Sequence, residues 1–197
     1  MGEASLQSFF HQAPGILIFL FPAFTMRCFA EEKRNGTFEL LVTKPMSISQ
    51  IILSKFFAAS FLAILTILPT LIYYISIINM GETFGNIDHP STIGSYLGLI
   101  VLSITFVSIG LLASSLAKNQ VIAFLLGLFF NFSIYIGFSF LATLTGAPVD
   151  YLLLKMSMLE HFISLQRGIV DSRDLIYFIS IIFFTLYLTK SILSVKK

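Results

Sequence analysis

The sequence alternates between long apolar stretches and short polar segments. A helix of about twenty apolar residues crosses a bilayer, and five stretches reach or approach that length. We predict membrane spans at about 14–29, 51–78, 96–117, 121–144 and 175–193. The first span is the weakest, because it needs Phe9 and Phe10, or Phe29, to reach full length. The pattern therefore predicts an all-α polytopic membrane protein, with residues 1–197 forming a single membrane domain.

Composition excludes a soluble protein. Hydrophobic residues make up 56% of the 197 residues, and charged residues only 11%. A soluble globular domain carries about 25% charged residues, so this chain could not cover a water-facing surface. Pro22 and Pro69 lie inside predicted spans, where each predicts a kink because proline lacks the backbone N–H of the helical ladder.

The basic residues are distributed unevenly. Nine of the twelve fall on one side of the predicted spans: Arg27, Lys33, Arg34, Lys44, Lys55, Lys118, Lys190, Lys196 and Lys197. Lysine and arginine concentrate in cytoplasmic loops, so we expect segment 30–50 and the C-terminus to be cytoplasmic and the N-terminus to lie outside. Since the N-terminus has no basic signal-peptide region, we also expect a first membrane span to be missing upstream.

Segment 30–50 has a helical pattern of its own. Asn35-Gly36 is typical of a helix end, and Thr37 is a candidate N-cap for a short helix with Glu39 in its first turn. Pro45 ends that helix, and Ser47-Ile-Ser-Gln50 fits a capping box. The segment therefore predicts a short amphipathic helix on the cytoplasmic face, which either anchors the loop in headgroups or docks to a soluble partner.

Segment 150–173 is amphipathic but too charged to span the bilayer, so we expect an external amphipathic helix on the outer membrane face. A charged neck precedes the last span. It supplies the candidates for an external gate: His161, Arg167, Asp171, Arg173 and Asp174. The alternative role for these side chains is ion pairing that orients the neck.

Several classes of function are disfavoured. The chain lacks the glycine-rich phosphate-binding loop of an ATPase, and it has no intramembrane carboxylate of the kind that couples ions to transport. Its three histidines are too scattered to predict a metal site, and we predict no catalytic residue and no cofactor. Asn131 is the only amide well inside a span, where we expect helix–helix hydrogen bonding.

The cytoplasmic segment carries a recognisable motif, Glu32-x-Arg34-x-Gly36-Thr37-x-Glu39-Leu40-Leu41-x-x-x-Pro45-x-Ser47-x-x-x-Ile51-x-x-x-Lys55. It resembles the signature of type 2 ABC transporter permeases. The resemblance implies that the short helix is a coupling helix that docks into a cleft of an ATP-binding subunit. It assigns the coupling to Glu32, Arg34, Gly36, Thr37, Glu39, Leu40, Leu41 and Pro45.

Further segments carry the resemblance along the chain. They are Gly85-Asn-x-Asp88, Ser91-Thr-Ile-Gly-Ser-Tyr96, Asn119-Gln-Val-Ile-Ala-Phe124 and His161-Phe-x-Ser164-x-x-Arg167-Gly168-Ile-x-Asp171-Ser-Arg173-Asp174-Leu175-x-Tyr177. These are similar to the permease subunit of the Bacteroidetes gliding-motility ABC transporter. That family has six spans, and the first has no counterpart here.

The resemblance implies a permease subunit in the bacterial inner membrane that couples ATP hydrolysis to transport. ATP and Mg would be bound by a partner ATP-binding subunit. A second membrane subunit or a homodimer partner would complete the transporter. The alternative is a non-transporting assembly subunit of a motility or secretion complex, driven by the same ATPase.

The predicted orientation can be tested by labelling engineered cysteines with an impermeant maleimide. In a Cys28→Ser background, Asn86→Cys should react in intact spheroplasts, because we expect its loop, Gly81 to Ser95 between the second and third predicted spans, to be external. Asn35→Cys should react only after the membrane is permeabilised. The reverse pattern would overturn the orientation.

Overall fold

The computed structural model describes residues 6–42, 46–80, 89–146, 149–168 and 171–195. These residues form helices and their connections, with no strand among them. The model contains five candidate membrane spans, which confirms the predicted all-α polytopic class. We number them as spans 1 to 5: Gln7–Arg34, Ile48–Ile78, His89–Leu116, Gln120–Leu144 and Ser172–Ser194.

Span 1 consists of two helices, α1 (Gln7–Thr25) and α2 (Arg27–Arg34), separated at Met26. Span 1 is longer than predicted, because the residues on both sides of the apolar stretch are also helical. A short helix, α3 (Thr37–Val42), follows it.

Span 2 begins as α4 (Ile48–Ile67) and ends as α5 (Leu71–Met80). The predicted capping box is present, since the Ser47 side chain accepts from Gln50 N–H and the Gln50 side chain accepts from Ser47 N–H. Between α4 and α5 the chain forms a 3₁₀-helix at Leu68–Thr70, so the break predicted at Pro69 occurs there. Proline explains it, because the residue cannot donate to the preceding turn.

Span 3 is a single helix, α6 (His89–Leu116), and it is the centre of the bundle. In the most apolar 18-residue stretch of span 3, 72% of the residues are buried, against 17% in the corresponding stretch of span 5. It packs against each of the other four spans. It begins seven residues before the predicted start at 96, because its polar first turns are packed against protein: the Ser91 hydroxyl donates to the Gln166 carbonyl at 2.7 Å.

Span 4 begins as α7 (Gln120–Phe132) and ends as α8 (Phe138–Leu144). A π-helical turn at Ser133–Gly137 joins them, which no sequence signal indicated. Asn131, just before this turn, is fully buried, but neither atom of its amide group has a hydrogen-bond partner among the described residues. Among the described residues, Asn131 therefore does not make the helix–helix hydrogen bond that we expected of it. A hydrogen bond of this kind joins spans 3 and 5, where the Thr185 hydroxyl donates to Ser108 at 3.0 Å.

The segment before span 5 forms two helices where we predicted one. These are α9 (Val149–Met156) and α10 (Met158–Gln166), and they are broken at Ser157, whose backbone is extended. The Ser157 hydroxyl is hydrogen-bonded to that of Ser139 at 2.6 Å. Span 5 follows as α11 (Ser172–Val195). α10 buries Phe162 and Leu165 against Gly98 of span 3, so it is part of the protein core as well as amphipathic.

Small residues bring the central helices close together, as is usual for membrane helices. A side-chain carbon added at Gly110 of span 3 would lie 2.1 Å from the hydroxyl of Thr25 in span 1. The contact between spans 1 and 3 therefore requires glycine at position 110.

We predict that Gly110→Ala lowers the midpoint of thermal unfolding in detergent, because overpacking a tight contact costs about 1–3 kcal/mol. Thr25→Ala should restore much of the loss in the double variant, since it removes the clashing hydroxyl. Gly15→Ala is the matched control, because nothing lies within 4 Å of the added carbon. An unchanged midpoint for Gly110→Ala would contradict the packing described here.

Candidate functional site

The segment from α2 to α3 protrudes from one end of the bundle. α2 ends at Asn35, whose N–H donates to the Glu31 carbonyl at 2.9 Å. Gly36 follows with a φ of 70°, a conformation that side-chain-bearing residues rarely adopt. The predicted break at Asn35-Gly36 therefore occurs, and Gly36 turns the chain into α3.

α3 is held to α2 by two contacts. The Thr37 hydroxyl donates to the Glu32 carbonyl at 3.3 Å, and the Phe38 ring packs edge-on against Phe29 at 6.5 Å between ring centroids. Thr37 is the first residue of α3, so its side chain connects the two helices instead of serving as the predicted N-cap. Glu39 lies in the first turn and is exposed, and Arg34 at the end of α2 is exposed as well.

The remaining predicted coupling residues are only partly covered by the structure. Leu40 and Leu41 lie within α3, but the structure describes only their backbone. Pro45 lies outside the described residues.

Glu32 differs from the other predicted coupling residues, because it faces the bundle. Its carboxylate forms an ion pair with the Lys55 ammonium of span 2. The same ammonium donates to the Cys28 carbonyl and lies 4.7 Å from the centroid of the Phe29 ring. Lys55 therefore holds α2 against span 2. The motif contains both Glu32 and Lys55, and opposite charges at its two ends are the sequence signal for the pair.

A second lysine connects α2 to span 3. The Lys33 ammonium donates to the backbone carbonyl of Ser115, near the end of that span. Two ammonium groups thus attach α2 to spans 2 and 3, through Glu32 and Lys33 near its C-terminal end, and α3 follows that end. Sequence reasoning placed Lys33 on this side of the protein but did not predict its acceptor.

At the opposite end of the bundle, the structure brings together two of the five gate candidates. His161 of α10 and Asp174 of span 5 form a contact of 2.6 Å between Nδ1 and Oδ1. The other ring nitrogen, Nε2, lies 2.9 Å from the Lys155 carbonyl. The carbonyl and the carboxylate can each accept a hydrogen bond from an imidazole N–H, so the ring is held by contacts at both nitrogens.

Tyr177 completes this contact and was not among the predicted site residues. Its ring stacks on His161 with centroids 4.0 Å apart, and its hydroxyl donates to the Met156 carbonyl at 2.5 Å. The two rings and Asp174 fasten the α9–α10 segment to the start of span 5. We name this group, His161 with Asp174 and Tyr177, the α10 clasp.

The other three gate candidates are not in the clasp. Arg167 and Arg173 are exposed. Asp171 accepts a hydrogen bond from the backbone N–H of Arg173 at 2.9 Å, which caps the start of span 5. An acidic residue just ahead of the first turn is a common N-cap, which accounts for this contact, and a role of Asp171 in a gate stays a prediction.

The geometry defines a polytopic helical membrane protein with a short exposed helix fastened to one end of its bundle. Residues 4–197 match the family model described as ABC-2 family transporter protein. The match covers nearly the whole chain, so the chain belongs to the ABC-2 transporter family. Members of this family are membrane subunits of ABC transporters, and they work with an ABC ATP-binding subunit. No curated protein matches the chain significantly.

We predict that His161→Ala speeds amide hydrogen exchange in residues 158–166 by about tenfold or more, because two hydrogen bonds worth about 1 kcal/mol each are lost. Mass spectrometry of the protein in detergent measures this rate. His11→Ala, at an exposed histidine of span 1, should leave it unchanged. Equal exchange in both variants would show that the clasp does not hold α10.

Proposed function

We propose that this chain is the permease subunit of an ATP-driven transporter in the bacterial inner membrane, and that α3 is its coupling helix. In this account, α3 docks in a groove of the ATP-binding subunit on the cytoplasmic side. ATP and Mg are bound there, and hydrolysis moves α3. The membrane spans follow that motion, which opens a path for substrate across the bilayer.

One observation favours this proposal over the alternative, in which α3 only anchors the segment in lipid headgroups. α3 is exposed at Glu39, while its support, α2, is bound to span 2 through Lys55 and to span 3 through Lys33. A helix that served only to rest on the membrane would need no such attachment. A helix that transmits force needs one free face and a firm base.

Charge supports the proposed orientation. The basic residues on the α3 side of the bundle outnumber those on the α10 side, as cytoplasmic loops require. Glu39 then faces the cytoplasm at the N-terminus of α3, where a carboxylate is stabilised by the helix dipole.

An association with gliding motility is the finer part of the proposal. It is supported by the sequence segments that are similar to the gliding-motility permease, among them the one from His161 to Tyr177. The α10 clasp is built from three residues of that segment.

The docking of α3 is tested by Glu39→Lys. Placing like charges against each other at an interface costs several kcal/mol, so we expect association with the ATP-binding subunit to weaken more than about a hundredfold. Co-purification of the two subunits and the ATPase rate of the purified complex measure the effect.

Glu160→Lys is the matched control, because Glu160 is also exposed and also lies in the first turn of a short helix, but at the other end of the bundle. It should leave association intact. Unchanged association in Glu39→Lys would exclude α3 as the docking helix. The link to motility is tested in the native bacterium, in a Glu39→Lys strain whose permease no longer associates with the ATP-binding subunit. Full gliding by this strain would contradict the link to motility and leave the rest of the proposal standing.

A further inference from the structure

Span 1 is interrupted at Met26 by a side chain from another helix. Ser114 of span 3 is completely buried, and its hydroxyl oxygen accepts hydrogen bonds from the backbone N–H groups of Phe29 at 3.0 Å and Ala30 at 3.1 Å. The same hydroxyl donates to the Met26 carbonyl at 3.1 Å. One donor and two acceptor positions exhaust what a serine hydroxyl can offer.

The Ser114 hydroxyl replaces a backbone hydrogen bond of the α-helix. In an uninterrupted α-helix the N–H of Ala30 would donate to the carbonyl of Met26. Here both groups bond the Ser114 hydroxyl. A side chain inserted into the ladder is one of the known causes of a break or bend in a helix. The kink predicted at Pro22 does not end α1, because Pro22 lies inside that helix and its carbonyl still accepts from Met26 N–H at 2.9 Å. The division of span 1 falls at Met26, where the Ser114 hydroxyl is inserted.

The backbone at the break is not strained. Met26 has φ −55° and ψ −30°, values within the right-handed helical region. The ladder can therefore close without a change of conformational region once the hydroxyl is withdrawn. This gives the junction of α1 and α2 two arrangements, one with the hydroxyl inserted and one with the ladder closed.

The junction lies at the base of the proposed coupling segment. One turn before Ser114, Gly110 is in close approach to Thr25 just ahead of the break. One residue after it, the Ser115 carbonyl accepts from Lys33 of α2. Span 3 thus holds span 1 on both sides of Met26.

We propose that Ser114 is a positioning residue for coupling. It sets the angle between α1 and α2 and connects that junction to span 3, so that movement of α3 reaches the centre of the bundle. The inference rests on the proposed function, because it assigns a route to the force that α3 receives.

The neighbouring hydroxyl groups provide the controls. Ser115 is also completely buried, but its hydroxyl donates to the Leu112 carbonyl of its own helix. Ser115→Ala therefore makes the same chemical change one residue away without altering span 1. Ser114→Thr and Ser114→Val form a second pair, since the two side chains have nearly the same volume and only threonine keeps a hydroxyl.

The experiment measures the distance between two spin labels in the full-length chain in lipid nanodiscs. In a Cys28→Ser background, labels are attached at Asn35→Cys, at the end of α2, and at Ile93→Cys, on the exposed face of span 3 at its other end. We expect Ser114→Ala and Ser114→Val to shift or broaden the distance distribution. Ser115→Ala and Ser114→Thr should retain the distribution of the parent protein. A distribution in Ser114→Val that coincides with that of Ser114→Thr would overturn the proposal.

The same samples, with the ATP-binding subunit added, separate this inference from the proposed function. Ser114→Val should retain co-purification with that subunit but lose the change in distance on ATP binding that the parent protein shows. An ATP-dependent change in Ser114→Val equal to the parent's would also overturn the role of Ser114. If the parent protein did not associate with the ATP-binding subunit, the proposed function would be overturned instead. The distances measured in the chain without that subunit test the junction of α1 and α2 independently.

Discussion

The close packing of span 3 against all four other spans is the constraint on which the rest of the structure depends. In a bilayer no water is available to drive helices together, so association relies on close van der Waals contact and interhelical hydrogen bonds. Span 3 provides both. Gly110 allows span 1 to approach, and Ser108 accepts a hydrogen bond from span 5.

Span 3 also connects the two ends of the bundle. At one end, Ser114 and Ser115 bind the base of α2, from which α3 extends. At the other end, Gly94 and Gly98 lie against α10, which the α10 clasp fastens to span 5. Both attachments are made by one continuous helix, which therefore joins the support of α3 to α10.

The features that could be predicted from sequence are those that local physics decides. Apolar length gave the five spans, glycine at a helix end predicted the turn at Gly36, and the Ser47–Gln50 pair predicted a capping box. Each depends on residues close together in the chain. The motif also indicated which segment lies outside the spans, and Glu39 is exposed there. Its role in coupling stays a prediction.

The features that could not be predicted depend on residues far apart in the chain. Ser114 and Met26 are separated by 88 positions, and no periodicity in either helix indicates that they meet. The Lys55–Glu32 ion pair was not predicted, because hydropathy does not show which partner a charged side chain will contact. The break at Ser157 and the π-helical turn after Asn131 are likewise set by packing between helices.

The central claim is that α3 is the part of this chain that contacts the ATP-binding subunit. The most direct measurement replaces Glu39 by a photoreactive benzophenone amino acid and irradiates the assembled complex in native membranes. We expect a covalent product that contains both this chain and the ATP-binding subunit. The same amino acid at Glu160 should give no such product. Cross-linking of the ATP-binding subunit from position 160, or only lipid adducts from position 39, would contradict the account.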